Sequence, residues 1–265
     1  MEKKRLGILG CGYLGSIVAD AWKQGLLEDY ELVGVTSRTP ASAQALAERV
    51  GCAACGSVAE LLDKKPAIVV ETAGGPAVRA SALEVLEVGA DLAVISIGAF
   101  SDSGFLEKVR ETARRCGRKV YLASGAVGGF DVLSTVALMA QAAGETPAVT
   151  FHTHKGPRSL EGTPVYRPEM ADTETEAFCG TASEAIALLP TRVNVAVAAS
   201  LASAGPENTQ LRITSVPGFV GDDHCITAEA AGVKAVVDIY SDKSAIAGWS
   251  LVALLRNIAS PIELH

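Results

Sequence analysis

The stretch GILGCGYLG (residues 7–15) constrains this chain more than any other. It spaces Gly10, Gly12 and Gly15 as G-x-G-x-x-G. An apolar strand-like run, RLGILG (5–10), leads into it, and an apolar-periodic helix, LGSIVADAWKQG (14–25), follows. Each glycine in this spacing has its own reason. The first permits a tight turn, the second lets a pyrophosphate approach the backbone, and the third lets helix and strand pack closely. The helix start then presents unpaired N–H groups and the positive end of its dipole to the phosphates. Gly10, Gly12, Leu14 and Gly15 are therefore the candidate cofactor contacts of a dinucleotide site.

The residues that follow keep one rhythm. YELVGVTS (30–37), AIVVETA (67–73), DLAVISIGA (91–99) and KVYLASG (119–125) read as buried strands, with amphipathic helical patterns between them. Such alternation builds a parallel sheet with helices on both faces, an α/β doubly wound, Rossmann-type domain over residues 1–124. Beyond Gly125 the alternation stops. AVTFHTHKGP (148–157), NTQLRITSVPG (208–218) and KAVVDIYS (234–241) read as half-buried antiparallel strands, with helices at 181–190 and 194–205. This predicts a second, α+β domain over 125–240. The apolar helix at 244–259, with Ser241, Asp242 and Ser244 available to cap it, is expected to pack back on the first domain.

At the end of the second strand, VGVTSRTP offers Thr36, Ser37 and Arg38 and no acid. An acid there would hold the ribose hydroxyls of NAD; hydroxyls and a forked guanidinium suit a 2′-phosphate. Ser37 and Arg38 thus favour NADP(H) over NAD(H). A net charge of -7 with no extended basic run argues against nucleic acid or an anionic membrane as partner. The apolar runs are too short to span a bilayer. Six scattered cysteines suit a reducing, cytoplasmic setting, and the close pair Cys52 and Cys55 reads as a small-residue strand beside a turn. His152 and His154 alternate along one strand without a third ligand, so no metal is expected.

Four further segments carry a resemblance: YLASGAVGGFDVL (121–133), CGTASEAIALLPTRVNVAVAASLA (179–202), DDHCI (222–226) and SDKSAIAGWSL (241–251). Together with the glycine fingerprint they make the chain similar to the L-aspartate dehydrogenase family. The resemblance implies NAD(P)-dependent, reversible oxidative deamination of L-aspartate to oxaloacetate and ammonia, a small-molecule substrate, and a homodimer. The small-residue helix at 194–205 is a candidate dimer contact. By position, the family's catalytic histidine falls on His224, and its nicotinamide-side contacts fall on Ala126 and Asn194.

From the residues alone, His224 sits in a polar break between apolar segments, where Asp222 or Asp223 would orient its ring. A histidine titrates near neutrality and suits the addition or loss of water at an imine. Lys155, Arg158 and Lys243 are the candidate cations for the substrate carboxylates. Three segments depart from the family pattern: DDH where relatives carry N-x-H, SDKS in place of NPKTS, and HKGPRSLEGTP (154–164). They leave open a second reading, an imine or 2-oxo acid reductase on a related small acid. A binding protein without catalysis is the third, and the retained His224 argues against it.

Overall fold

The computed structural model describes residues 2–189 and 194–263. The chain divides into two compact units, Met1–Gly125 together with Ala247–His265, and Ala126–Ile246.

The first unit alternates throughout. Its elements are β1 (Lys4–Leu9), α1 (Tyr13–Lys23), β2 (Tyr30–Thr36), α2 (Pro40–Val50), β3 (Ala54–Cys55) and α3 (Val58–Asp63). They continue with β4 (Ile68–Glu71), α4 (Gly75–Glu87), β5 (Asp91–Val94), α5 (Ser103–Cys116) and β6 (Val120–Leu122). The six strands are all parallel, in the order β3-β2-β1-β4-β5-β6. The order reverses direction between β1 and β4, and in such sheets the crevice beyond the strand ends at that point receives ligands. The strand expected over 91–99 is shorter than its apolar run suggests. β5 stops at Val94, and Ile97–Ser101 turns into one stretch of 3₁₀ helix.

Helices begin and end where local chemistry dictates. Pro40 opens α2 and Gly51 closes it at φ +85°. Asp102 caps α5 by accepting from the Phe105 N–H at 2.9 Å.

The second unit contains α6 (Phe130–Ala143), β7 (Ala148–Lys155), β8 (Thr175–Thr181), α7 (Ala182–Leu188), α8 (Asn194–Leu201), β9 (Thr209–Ser215), β10 (Asp222–Ala230) and β11 (Val233–Ser241). Its sheet runs β11-β10-β7-β9-β8. Two expectations are corrected. The segments 148–157 and 208–218 do not pair antiparallel with one another: β7 and β9 are parallel, while β10 and β8 supply their antiparallel neighbours. The polar runs at 175–181 and 222–230 are strands that their composition conceals. The expected helix over 181–190 ends at Leu188, with Pro190 outside the described residues.

The last helix, α9 (Ala245–Ala259), belongs to the first unit from Ala247 onward. Leu251, Val252 and Leu255 are buried in the core that holds Leu6 and Ile8 of β1 and Val18 of α1. Each such leucine contributes about 2 kcal/mol by leaving water. Gly248 is required where the helix meets α1, because a Cβ there would lie 2.7 Å from Ile17 Cδ1. Tyr30 fixes the register by donating its hydroxyl to the Leu255 carbonyl at 2.7 Å. Ser241 does not cap this helix; its Oγ donates instead to the Lys243 carbonyl in a local turn.

Candidate active site

The glycine turn leaves no room for side chains at two of its three glycines. Gly10 has φ +112°, and a Cβ there would stand 2.6 Å from the Thr72 carbonyl carbon. A Cβ on Gly15 would fall on the Gly10 carbonyl oxygen and 2.8 Å from Thr72 Oγ1. Thr72 Oγ1 in turn donates to that same carbonyl at 2.8 Å, tying β4 to the turn. Gly12 differs. Nothing lies within 4 Å of its would-be Cβ, so the protein itself does not demand a glycine there. The space over Gly12 is what a pyrophosphate needs. No side chain caps α1 at Gly12, and the first helical bond runs from the Ser16 N–H to the Gly12 carbonyl. The N–H groups at this helix start are left for an anion. Leu14 is half-buried and packs on the core below.

At the β2 end, Thr36 is buried and its carbonyl accepts from the Gly10 N–H at 2.8 Å. Ser37 is half-buried; Arg38 is exposed and makes no ion pair among the described residues.

One residue of this unit escaped sequence reasoning. Glu71, the last residue of β4, is fully buried, at 0% exposure. Its Oε1 accepts from the Ala73 and Gly74 N–H groups, both at 2.7 Å, and from Ser96 Oγ at 2.9 Å. Oε2 accepts from the Ser96 N–H at 3.2 Å. Burial pushes its carboxyl up from the usual range, and the four hydrogen bonds oppose the shift. The carboxylate thereby ties together the turns that leave β4 and β5 at the crevice. An acid closing a buried run, VVE, was the only available signal.

In the second unit, strand alternation assembles the chemistry. Phe151, Thr153 and Lys155 of β7 share a face with Asp222, His224 and Ile226 of β10, and the antiparallel register sets them opposite one another in pairs. Thr153 meets His224, with Oγ1 2.9 Å from Nδ1. Lys155 meets Asp222 in an ion pair. These four side chains line a cavity of about 420 Å³, within the range of small-molecule sites. Ser159 and Asn194, the first residue of α8, also line it, and much of its wall is apolar, including Phe151, Leu160 and Ile213.

His224 is therefore no turn residue. It is the third residue of a nine-residue strand and only 2% exposed. Neither neighbouring aspartate orients its ring; Thr153 does, and Phe151 packs beside it with ring centroids 5.6 Å apart. Asp223 projects to the other face, where its Oδ2 lies 3.0 Å from His154 Nδ1. Burial, and after it the Lys155 charge, lower the imidazole to about 4, against the pull of Asp222 and Asp223. At neutral pH the ring is uncharged. Thr153 occupies Nδ1, so Nε2 is the ring nitrogen not engaged by that contact.

The remaining candidates are sorted by position. Lys155 and Asn194 line the cavity; Arg158 and Lys243 are exposed and do not. Ala126 is half-buried in the turn after Gly125 and lies outside the cavity wall. The small residues of α8 are not a free contact surface, since Ala196 through Ser200 are buried. His152 and His154 lie on the opposite sheet face with ring centroids 4.2 Å apart and planes tilted by 48°. His152 Nε2 lies 2.8 Å from Thr214 Oγ1. Among the described residues no group of three His, Cys, Asp or Glu side chains is arranged to hold a metal ion. Cys52 and Cys55 have thiols raised by burial. No described helix is long and apolar enough to cross a membrane.

Comparison with known proteins agrees with this division of labour. Residues 10–123 match the family model of the homoserine dehydrogenase NAD binding domain, and residues 137–258 match that of the aspartate dehydrogenase C-terminal domain. An L-aspartate dehydrogenase of Methanocaldococcus jannaschii is 30% identical over 270 residues, covering 98% of each chain. One from Methanosarcina mazei is 32% identical over 273 residues with the same coverage. The crystal structure of the Thermotoga maritima aspartate dehydrogenase superposes with a TM-score of 0.73 over the whole of both chains, at 24% identity, and so shares the fold. A dinucleotide-domain match in one unit, a buried histidine in the cavity of the other, and relatives of this identity over 98% of both chains lead to one conclusion: the chain belongs to the L-aspartate dehydrogenase family of NAD(P)-dependent oxidoreductases.

Proposed function

We propose that this chain catalyses the reversible, NADP-preferring conversion of L-aspartate, water and NADP⁺ to oxaloacetate, ammonium, NADPH and a proton, with His224 as the acid/base. The observation that carries the reading is the His224–Thr153 pair in a cavity that also holds a cation, Lys155. The dinucleotide supplies the hydride acceptor. The protein must do the rest: hold a carboxylate, keep the α-carbon in a water-poor cavity, and move protons.

An uncharged His224 is the form needed in the deamination direction, where it takes a proton from the water that attacks the imine carbon. The proton then returns to the departing nitrogen. In the opposite direction the same ring, once protonated, assists loss of water from the carbinolamine. Lys155 is the carboxylate partner that the cavity offers. Arg38, without an ion pair among the described residues and with no acid at the β2 end, supports the preference for a 2′-phosphate.

The exposed Val236 and Tyr240 alternate along β11 on the sheet face away from His224, and they support a homodimer formed through that face. The test of the reaction is oxidation of NADPH, and separately NADH, with oxaloacetate in the presence and absence of ammonium. Ammonium-dependent oxidation is expected, faster at low concentrations of NADPH than of NADH. Ammonium-independent turnover would place the chain among 2-oxo acid reductases instead. Arg38→Ala should weaken NADPH binding about tenfold, the worth of one charge-assisted contact, and leave NADH binding unchanged.

A further inference from the structure

Among the described residues, the charged side chains lining the cavity are two, Lys155 and Asp222, and they are paired with each other. That pairing leaves a difficulty. Lys155 is the carboxylate-binding cation, yet an acid of the protein already occupies it. The pair does little for stability: its side chains are 21% and 40% exposed, and a pair that open to solvent contributes at most about 1 kcal/mol. A carboxylate with a small structural return, aimed into a ligand cavity and two residues from the acid/base, has a better explanation in the ligand. An α-amino acid is itself a paired ammonium and carboxylate.

The geometry points to Asp222 as the residue that recognises nitrogen in this site. Resting on the deamination reading above, we propose that it holds the α-ammonium of the amino acid, or free ammonium in the aminating direction. While empty-handed, it keeps Lys155 from gripping oxo acids that arrive without nitrogen. Binding exchanges one ion pair for two: Asp222 passes from Lys155 to the substrate nitrogen, and Lys155 passes to a substrate carboxylate. Asp222 and His224 are residues i and i+2 on one strand face, about 7 Å apart along β10. A nitrogen held at Asp222 thus leaves the adjacent carbon within reach of a water activated by His224. Asp222 takes part in no bond-making step. It sets specificity for nitrogen-bearing over nitrogen-free substrates.

The test is Asp222→Asn, which keeps the shape and removes the charge, assayed in the aminating direction. The Michaelis constant for ammonium should rise at least tenfold. That for oxaloacetate should fall several-fold, because Lys155 is released. Opposite movements of the two constants are the signature that a merely structural ion pair would not give. An unchanged ammonium constant, or a raised oxaloacetate constant, overturns the assignment.

A second measurement needs only the unaltered enzyme. Succinate, a dicarboxylate without nitrogen, should bind to the NADPH complex several-fold more tightly when ammonium chloride replaces sodium chloride at equal ionic strength. Succinate affinity indifferent to ammonium overturns the proposal. If the unaltered enzyme aminates oxaloacetate and these shifts are absent, Asp222 alone is misassigned. If it shows no ammonium-dependent turnover, the deamination reading itself fails and takes this inference with it.

Discussion

His224 Nδ1 and Thr153 Oγ1 lie 2.9 Å apart across β10 and β7, directly opposed in the strand register. The threonine is itself buried at 3% exposure, so the hydroxyl serves the imidazole rather than solvent. This contact holds the ring and leaves Nε2 for the acid/base role proposed for His224. Thr153→Val keeps the shape and deletes the hydroxyl. It should lower kcat about tenfold, the effect of one hydrogen bond on a positioned group, with the KM for oxaloacetate nearly unchanged. Thr153→Ser should restore most of the rate. Steady-state kinetics of the two variants check this.

The depressed imidazole has a consequence for stability. A base with a folded-state value near 4 and an unfolded value near 6.5 binds protons more weakly when folded. Its contribution is therefore complete above about pH 6.5 and is lost as pH falls toward 4, where the folded ring also protonates. The loss amounts to as much as about 3 kcal/mol. Urea unfolding midpoints should fall between pH 7 and pH 5 more steeply in the unaltered protein than in His224→Gln, which has nothing there to titrate.

The second and third glycines of the fingerprint should separate experimentally. Gly12→Ala has an ordinary backbone angle, φ -80°, and open space for its methyl group. It should leave the melting temperature within a degree or two and weaken NADPH binding at least tenfold, because the methyl enters the space a pyrophosphate needs. Gly15→Ala drives a methyl onto the Gly10 carbonyl oxygen and should lower both stability and affinity. Thermal melts with and without NADPH distinguish them.

Glu71 is expected to act through the fold. Glu71→Ala strips the acceptor from the Ala73 and Gly74 N–H groups and from Ser96, and should cost about 3 kcal/mol in denaturant unfolding. Glu71→Gln retains one acceptor oxygen and should cost less.

The first unit was legible in the sequence because parallel strands buried on both faces are written as apolar runs, such as AIVVETA, and their helices as amphipathic periods. Where an apolar run misled, at 91–99, a serine and a glycine within it, Ser96 and Gly98, sit where the chain turns into the 3₁₀ stretch. The second unit was less legible for a physical reason. Asp222, Asp223 and His224 look like a loop when read in isolation. In the fold each faces a polar partner one strand away: Lys155, His154 and Thr153. The strand is stabilised by pairing over about seventy residues of separation, which a local pattern does not record. Glu176 of β8, paired with Arg212 of β9 at 3.2 Å, is hidden in the same way. The identity of the histidine came from resemblance. Its burial, its threonine partner and the Lys155–Asp222 pair came only from the fold.

The most direct test of the account is His224→Ala, measured for NADPH binding and for ammonium-dependent NADPH oxidation with oxaloacetate. An unchanged dissociation constant for NADPH is expected, with kcat lowered at least a hundredfold, the usual worth of a positioned acid/base. Turnover within a few-fold of the unaltered enzyme would contradict the assignment of His224.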